Sequence, residues 1–364
     1  MRFPGFTDEW KTDRLSSYAK KIIRKNKGHS ITNVLCNSAN LGIIPQSEYF
    51  DRDIANSENT NAYYVIECGD FVYNPRKSVS APYGPVNLYD RPESGIISPL
   101  YLCFRVKNIS KDFLLRWFKG NSWHKYVYSH GDTGVRYDRV SIKDEIFLNM
   151  PILLPSIPEQ EKIAKFLSLL DERIATQNKI IEDLQSLIKG LAKTLTNQGE
   201  PNTRISNCLD CHTSTLQEGS LNKKSLYPVY GASGIAGFLD DYICDKDSIL
   251  IIKDGSGAGT VSFATGQYSV IGTLNYLTAK SGYSLKYLYF CLMSFNFEPF
   301  KTGMAIPHIY FKDYGRAKIY CPSIAEQQCI AKTLTVLENK LNIELKLLNI
   351  LYQEKRCLLS KMFI

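Results

Sequence analysis

Two stretches of this 364-residue chain repeat apolar residues in a heptad pattern. Heptad positions step by four and three residues from Ile163 to Leu195, and again from Ile330 to Met362, and all are apolar except Gln177, Glu344 and Lys355. This spacing places them on one side of an α-helix and is typical of a coiled-coil seam. The sequence therefore predicts two long helices that pair with each other. The predicted seam residues are Ile163, Leu167, Leu170, Ile174, Gln177, Ile181 and Leu184 in the first helix, and Leu334, Leu337, Leu341, Glu344, Leu348 and Leu351 in the second.

The two helical stretches belong to one internal repeat. Pro155–Gln160 recurs as Pro322–Gln327, and both segments contain the Ser-x-x-Glu spacing of a helix-capping box. Gln177 and Glu344 place a polar residue at the same position of each seam. A lone polar seam residue can fix the register of a helix pair. We therefore expect a duplicated module of one globular part and one helix.

The segment before each helix is rich in strand-like runs separated by glycine, and each ends in a short predicted helix. We call these segments the first head and the second head. The predicted fold class is α+β, with two β-rich heads separated by two long helices that pair as an antiparallel coiled coil, related by a pseudo-twofold repeat. Helices of about 60 Å would limit the separation of the heads to about 60 Å, which is the length of about 18 base pairs of DNA. The predicted boundaries are 1–151, 152–199, 200–321 and 322–364.

Charge and composition narrow the class of protein. The net charge is +8, with +5 in residues 1–150 and +1 in residues 200–321. The basic residues of the segment 20–27 have spacings that fit one helix, which could bind phosphates or simply face solvent. The sequence contains ten cysteines and neither a signal-peptide pattern nor an apolar run of about 20 residues. These features predict a cytoplasmic protein with reduced thiols.

Catalytic and metal-binding motifs are not recognisable in the sequence, so no catalytic residue and no metal ligand is predicted. No Gly-Lys pair exists for a Walker A loop. The glycine-rich segment Lys253–Gly259 precedes the strand-like run Thr260–Phe263, so we interpret it as a hairpin tip and not as a nucleotide loop. Cys208–His212 matches a haem-attachment pattern, which we interpret as coincidence in a chain without an export signal.

The segments Pro155–Ala164 and Pro322–Ala331 resemble the two conserved helical regions of the specificity subunits of type I restriction-modification enzymes. Tyr227–Gly234 and Gly303–Ile309 are similar to recurrent pieces of the target-recognition domains of that family. The resemblance covers essentially the whole chain. It implies a non-catalytic subunit in which each head reads one half of a bipartite, asymmetric DNA site and the paired helices set the gap.

The resemblance also implies partners. They would be double-stranded DNA, two adenine methyltransferase subunits and restriction subunits that translocate DNA, with no membrane involved. S-adenosylmethionine, ATP and Mg²⁺ would belong to those partners, so no cofactor is expected in this chain. Two other hypotheses remain open at this stage: a stand-alone nuclease or methyltransferase with unrecognised motifs, and a coiled-coil adaptor whose heads bind protein.

Polar side chains near the predicted loops are the candidates for DNA contact. Arginine can read guanine edges, whereas lysine contacts to phosphate only position a protein on DNA. For each candidate, an ordinary surface or structural role is about as plausible. The candidates are Lys77, Lys125, Arg136, Arg139 and Lys143 in the first head, and Tyr230, Ser233, Lys253, Ser256, His308 and Lys312 in the second.

Overall fold

The computed structural model describes residues 3, 5–49, 57–132, 138–221, 225–303 and 305–363. The chain forms two compact units, one of residues 1–176 with 348–364 and the other of residues 177–347. Each unit contains one head and parts of both long helices, which therefore belong to both units. None of the helices in the described ranges is long and apolar enough to cross a membrane.

The first head combines two four-stranded sheets, one strand pair and three helices within its described residues. One sheet has the order β2-β9-β6-β7 and the other β4-β3-β8-β5, while β1 pairs with β10. All pairs are antiparallel except β3 with β8. The elements are β1 Lys11–Arg14, β2 Ala19–Lys21, β3 Val34–Ser38, β4 Gly42–Pro45, β5 Tyr64–Ile66, β6 Asp70–Tyr73, β7 Val86–Leu88, β8 Gly95–Ile97, β9 Leu102–Val106, α1 Lys111–Lys119, α2 His124–His130, α3 Asp144–Leu148 and β10 Pro151–Leu154.

The second head, between the two long helices in sequence, repeats this arrangement with three strands instead of four in its second sheet. Its sheets have the orders β12-β18-β15-β16 and β14-β13-β17, while β11 pairs with β19. Here β13 and β17 form the parallel pair. The elements are α4 Ile157–Leu195, β11 Thr203–Arg204, α5 Ile205–Cys208, β12 Leu209–Thr213, β13 Tyr227–Gly231, β14 Gly234–Leu239, β15 Ser248–Ile252, β16 Val261–Ala264, β17 Ser269–Val270, β18 Leu274–Ala279, α6 Leu285–Ser294, α7 Phe311–Tyr314, β19 Lys318–Ile319 and α8 Ile324–Met362.

The two heads are therefore two copies of one fold, as the sequence predicted. In each head the central strand of the antiparallel sheet, β6 or β15, is buried along its whole length. Buried strands of this kind read as apolar runs without alternation, which is how β15 appears in the sequence. A helix of nine or ten residues, α1 or α6, follows the last strand of that sheet, β9 or β18, and contributes buried side chains to the core.

Each unit contains an antiparallel contact between α4 and α8. In the first unit the beginning of α4 shares a hydrophobic core with the end of α8, through Ile163 and Leu167 on one side and Met362 and Phe363 on the other. In the second unit the end of α4 meets the beginning of α8, where Ala192 and Leu334 are fully buried in one core. The two helices thus pack together, as the heptad pattern predicted.

The seam positions are buried to different degrees along the two helices. Ile163, Leu167, Ile174, Gln177, Ile181, Leu184, Leu334 and Leu351 are buried. Leu170, Leu337, Leu341, Glu344 and Leu348 are half-buried. The polar pair within the seam is in contact, because the Gln177 Nε2 amide donates to Glu344 Oε2 over 2.6 Å. This hydrogen bond lowers the pKa of the Glu344 carboxyl, and Lys340 adds to the effect.

The segment 20–27 does not form the helix that its basic residues suggested. Its beginning, Lys20 and Lys21, lies in β2 and pairs with Arg105 and Phe104 of β9. The preceding Ala19 is buried against the core, whereas both lysines are exposed. Cross-strand pairing and the burial of the neighbouring apolar residues therefore decide the local structure here, and the charge spacing does not.

Candidate nucleic-acid interface

The segment that follows β6 in the first head crosses the segment that precedes α3. The Lys77 N–H donates to the Asp138 carbonyl over 2.8 Å, and the Val140 N–H donates to the Pro75 carbonyl over 2.9 Å. Between these bonds, Arg76 and Arg139 face each other in an antiparallel bridge. We call this meeting point of two chain segments the crossing of the head.

Asn74 fixes the backbone that leads to Arg76. The Oδ1 of Asn74 accepts a hydrogen bond from the Arg76 N–H over 3.0 Å, which is the geometry of an Asx-turn. The Nδ2 of the same side chain donates to the Asn37 carbonyl over 3.1 Å, in the buried interior. Asn74 thus connects the core of the head to the exposed turn that carries Arg76.

The second head forms the same crossing between the segment after β15 and the segment before α7. The Ile309 N–H donates to the Lys253 carbonyl, and the Gly255 N–H donates to the Pro307 carbonyl, both over 2.9 Å. Asp254 and His308 face each other in the antiparallel bridge between these bonds. Asp254 of the second head therefore corresponds to Arg76 of the first, and His308 corresponds to Arg139.

The two crossings differ in charge although their backbones correspond. In the first head the bridge pairs two arginines, and the Nε of Arg76 lies 3.8 Å from the Asp138 carboxylate at the surface. In the second head the Asp254 Oδ1 lies 2.8 Å from the His308 Nδ1. The first crossing therefore offers only cationic hydrogen-bond donors from its two facing side chains, whereas the second offers an acid paired with an imidazole.

One buried glutamine attaches each head to the long helix that follows it. The Oε1 of Gln160 accepts from the Ser110 N–H over 2.9 Å, and its Nε2 donates to the Pro155 carbonyl over 3.0 Å. Gln327 makes the same two bonds, to the Ser284 N–H over 3.0 Å and to the Pro322 carbonyl over 2.9 Å.

Ser110 and Ser284 are the N-cap residues of α1 and α6. Each glutamine therefore joins the start of a head helix to the start of a long helix, and we call this arrangement the glutamine clamp. The repeated Glu-Gln is visible in the sequence, but this role is not. The serine partners lie 50 and 43 residues away from their glutamines, so only the fold brings them together.

Comparison with known proteins identifies the family. The family described as "Type I restriction modification DNA specificity domain" matches residues 8–186 and 209–352. This chain belongs to that family.

Individual relatives agree with this assignment. A putative type I restriction enzyme MjaX specificity subunit from Methanocaldococcus jannaschii is 35% identical over 109 residues, which is 30% of this chain and 22% of that protein. The chain thus matches only about a fifth of the length of this curated relative.

Solved structures extend the comparison over the whole chain. The S subunit of a type I restriction-modification system from M. genitalium has a TM-score of 0.61 at 18% identity, covering 100% of this chain and 97% of that chain. A chain from a study of complex assembly and conformational transition of the type I R-M system has a TM-score of 0.59 at 16% identity, covering 98% of both chains. At these identities the likeness concerns the fold.

Within this specificity-family fold, the candidates of the first head occupy several places. Lys77 and Arg139 lie together at the crossing and are half-buried. Lys125 is exposed on α2, and Lys143 is exposed at the N-cap of α3. Arg136 lies outside the described residues. Arg76 was not predicted from the sequence, although the Asn-Pro-Arg turn directly after a buried strand was a signal for it.

The candidates of the second head divide between the crossing and the hairpin tips. Lys253 and His308 meet at the crossing, and Ser256 is exposed on the adjoining turn. Ser233 is exposed at the tip of the β13–β14 hairpin. The remaining two candidates have aromatic contacts: the Tyr230 ring lies edge-on at 5.5 Å from Tyr268, and the exposed Lys312 Nζ lies 5.3 Å from the Tyr310 ring centre.

The two motifs that could be mistaken for cofactor sites have structural partners. The glycine-rich segment after β15 leads into the antiparallel strand β16, as predicted for a hairpin. His212 is hydrogen-bonded to the Thr278 hydroxyl over 3.0 Å and stacks on Tyr276. Burial raises the pKa of the Cys211 thiol to about 11. The described residues contain no group of three or more His, Cys, Asp or Glu side chains placed to hold a metal ion.

Proposed function

We propose that this chain is the non-catalytic DNA-recognition subunit of a type I restriction-modification complex. Each head reads one half of a bipartite, asymmetric DNA site. The observation that carries the proposal is the crossing: one backbone arrangement occurs twice and presents Arg76 and Arg139 in one head but Asp254 and His308 in the other. Two copies of one scaffold with different polar groups are suited to two different half-sites, since base-edge contacts specify sequence.

The paired helices set the gap between the half-sites in this proposal. The predicted seam positions from Ile163 to Leu184 and from Leu334 to Leu351 are apolar except at Gln177 and Glu344, whose hydrogen bond opposes a shift of one helix along the other. A shift by one heptad would place Gln177 opposite an apolar position and leave its amide without this partner. The register of the helices is therefore suited to define a fixed spacing.

The partners in this proposal are double-stranded DNA, two adenine methyltransferase subunits and restriction subunits. Methylation and ATP-driven cleavage take place on those subunits, which hold S-adenosylmethionine, ATP and Mg²⁺. The glutamine clamps support this division of labour, because they fix each head to the helices on which partner subunits would dock. The proposed location is the cytoplasm, where such a complex meets DNA.

The proposal is tested by single-molecule sequencing of adenine methylation in the host. The strains compared carry the intact gene, a deletion, and the deletion complemented with the wild-type gene. We expect one bipartite methylation motif to disappear on deletion and to return on complementation. An unchanged methylome, together with no sequence preference in DNA binding by the chain with its methyltransferase subunits, would refute the proposal.

The spacer role has a separate test in the same strains. Seven residues inserted after Gln177 and another seven after Glu344 keep the apolar seam continuous in both helices. One heptad adds about 10 Å of helix, or about three base pairs. We expect a longer gap between unchanged half-sites. Altered half-site sequences with an unchanged gap would contradict the spacer role.

A further inference from the structure

The crossing of the second head holds an imidazole by one nitrogen and leaves the other without a partner among the described residues. The His308 Nδ1 lies 2.8 Å from the Asp254 Oδ1. The side chains of His308 and Asp254 are 36% and 32% exposed, so the pair lies at the surface of the head. An ionised carboxylate can only accept a hydrogen bond, so the Nδ1 of the imidazole is the donor.

This pairing fixes the chemical character of the second ring nitrogen. A neutral imidazole with its proton on Nδ1 has a lone pair on Nε2, which makes Nε2 a hydrogen-bond acceptor. The carboxylate of Asp254 selects this tautomer and orients the ring, as second partners of histidines commonly do. In its neutral form, His308 therefore presents a single oriented acceptor at the surface.

The backbone around His308 is held on both sides. The Thr302 N–H and the His308 N–H each donate to the other residue's carbonyl, over 2.8 and 2.7 Å. Gly303, with a φ of +90°, allows the turn, because a Cβ there would lie 2.4 Å from the Ile306 carbonyl oxygen and 3.2 Å from the His308 Cδ2. These contacts hold the backbone of His308 in place, and a fixed backbone preorganises a recognition side chain.

The first head has the opposite chemistry at the corresponding position. Arg76 and Arg139 carry only donors, and such groups match the O6 and N7 acceptors of guanine. An acceptor has different partners in the major groove. Only adenine N6 and cytosine N4 present amino donors there, whereas guanine and thymine present carbonyl oxygens.

We propose that His308 determines the specificity of the second head by accepting a hydrogen bond from the exocyclic amino group of an adenine or a cytosine. Asp254 is the positioning residue that keeps the acceptor available. This inference rests on the DNA-reading function proposed above and names the chemical class of base that the second half-site contains at one position.

The test uses the complex of the full chain with its methyltransferase subunits. The substrates are duplexes in which each position of both half-sites is replaced by every other base in turn. For His308→Ala we expect discrimination between amino and keto bases to fall tenfold or more at one position of the second half-site. The preferences in the first half-site should stay as they are. If the alanine variant is poorly folded, His308→Leu replaces it, because leucine keeps most of the side-chain volume and has no hydrogen-bond acceptor. The same loss of discrimination is expected.

Conservative variants separate positioning from packing. Asp254→Asn retains an oxygen that accepts from Nδ1, so it should keep the preference, whereas Asp254→Ala should lose it as His308→Ala does. His212→Gln is the matched control, because the Nε2 of His212 already bonds to Thr278, and it should leave every preference unchanged.

Unchanged preferences in both His308 variants, with methylation by the wild-type complex intact, would overturn this inference alone. Equal loss of preference at all positions of both half-sites would overturn it as well. The absence of any sequence-specific methylation by the wild-type complex would instead refute the function proposed for the whole chain.

Discussion

The two heads share most of one sheet topology, with one strand fewer in the second sheet of the second head, but they differ at the crossing and in the core. The first head fills its interior with phenylalanine and tryptophan, whereas the second uses more tyrosines, among them Tyr268, Tyr287 and Tyr314. The backbone hydrogen bonds of the two crossings correspond one to one, although the side chains of the bridged residues differ in charge. The comparison teaches that the fold is maintained by backbone geometry and buried volume, so the exposed chemistry at the crossing can vary without changing it.

The largest expected effect comes from the core position that the heads share. Phe147 and Tyr314 are both fully buried, near the ends of α3 and α7, and they correspond to each other in the repeat as Gln177 and Glu344 do. Phe147 stacks on Tyr73 with ring centres 4.2 Å apart. We expect Phe147→Ala to lower the free energy of unfolding by about 3–5 kcal/mol, because it removes an aromatic ring and leaves a cavity.

Tryptophan fluorescence can assign this loss to one head. The chain has three tryptophans, Trp10, Trp117 and Trp123, and all lie in the first unit. Phe147→Ala should therefore shift the urea midpoint detected by tryptophan fluorescence. Tyr314→Ala is the matched change in the second head. For this variant, the urea midpoint detected by tryptophan fluorescence should shift less than the midpoint detected by circular dichroism. Equal shifts of the fluorescence midpoint would show that the two cores unfold as one.

The glutamine clamps should contribute equally in the two heads. Gln160 and Gln327 are each 2% exposed and make the same two bonds. Replacing either by alanine leaves a backbone N–H and a carbonyl without their partner, which costs about 1–3 kcal/mol. Urea unfolding of Gln160→Ala and Gln327→Ala measures both values. If one variant loses stability within this range and the other loses none, the clamps are not equivalent.

Phosphate contacts should distinguish the heads much less than base contacts. Lys143 and Lys312 are exposed residues at the beginning of α3 and of α7. Under the proposed function, replacing either by alanine should weaken DNA binding for all sequences alike. The slope of log affinity against log salt should fall by about one unit in each variant. A change in half-site preference for either variant would contradict a phosphate-contacting role.

The smallest expected effect concerns the polar pair of the seam in the second unit. The hydrogen bond from Gln177 lowers the pKa of Glu344 below its ordinary value of 4.5. A lowered folded-state pKa gives stability that is present above the unfolded-state pKa and is lost as pH falls through the folded-state pKa. The melting temperature of wild type should therefore decline relative to Gln177→Leu as pH decreases below about 4.5. If the difference in melting temperature between wild type and Gln177→Leu stays constant from neutral pH to about pH 3.5, the pair does not contribute in this way.

Much of the architecture could be predicted from the sequence because its signals are local or repeated. The 4,3 spacing of apolar residues specifies one helix face, and α4 and α8 each extend over 39 residues at corresponding places in the repeat. The Ser323–Glu326 capping box was also predictable: the Ser323 N–H donates to the Glu326 carboxylate over 3.1 Å, and the Glu326 N–H donates to the Ser323 hydroxyl over 3.4 Å. The segment 20–27 was predicted wrongly because pairing with β9, a strand far along the chain, decides its structure.

The candidate site could be predicted only in part, because it depends on which loops meet. Lys77, Arg139, Lys253 and His308 were chosen from the sequence, and the fold places each of them at a crossing. Arg76 and Asp254 were missed, since the importance of each lies in a bridge partner that is distant in the sequence. The correspondence between Arg76 and Asp254 is also hard to see in the sequence, because the loops after β6 and β15 differ in length and composition.

The division of α8 between the units has a consequence for synthesis on the ribosome. Met362 and Phe363 are buried in the core of the first unit, where the Phe363 ring lies 5.4 Å from Phe113. They emerge about 200 residues after the α4 residues that they cover, a delay of about 10–40 s at ordinary rates of translation. During that interval the nascent first head has an uncovered apolar surface. The core of the first unit is therefore complete only after the end of α8, the last of its segments to be translated, has been made.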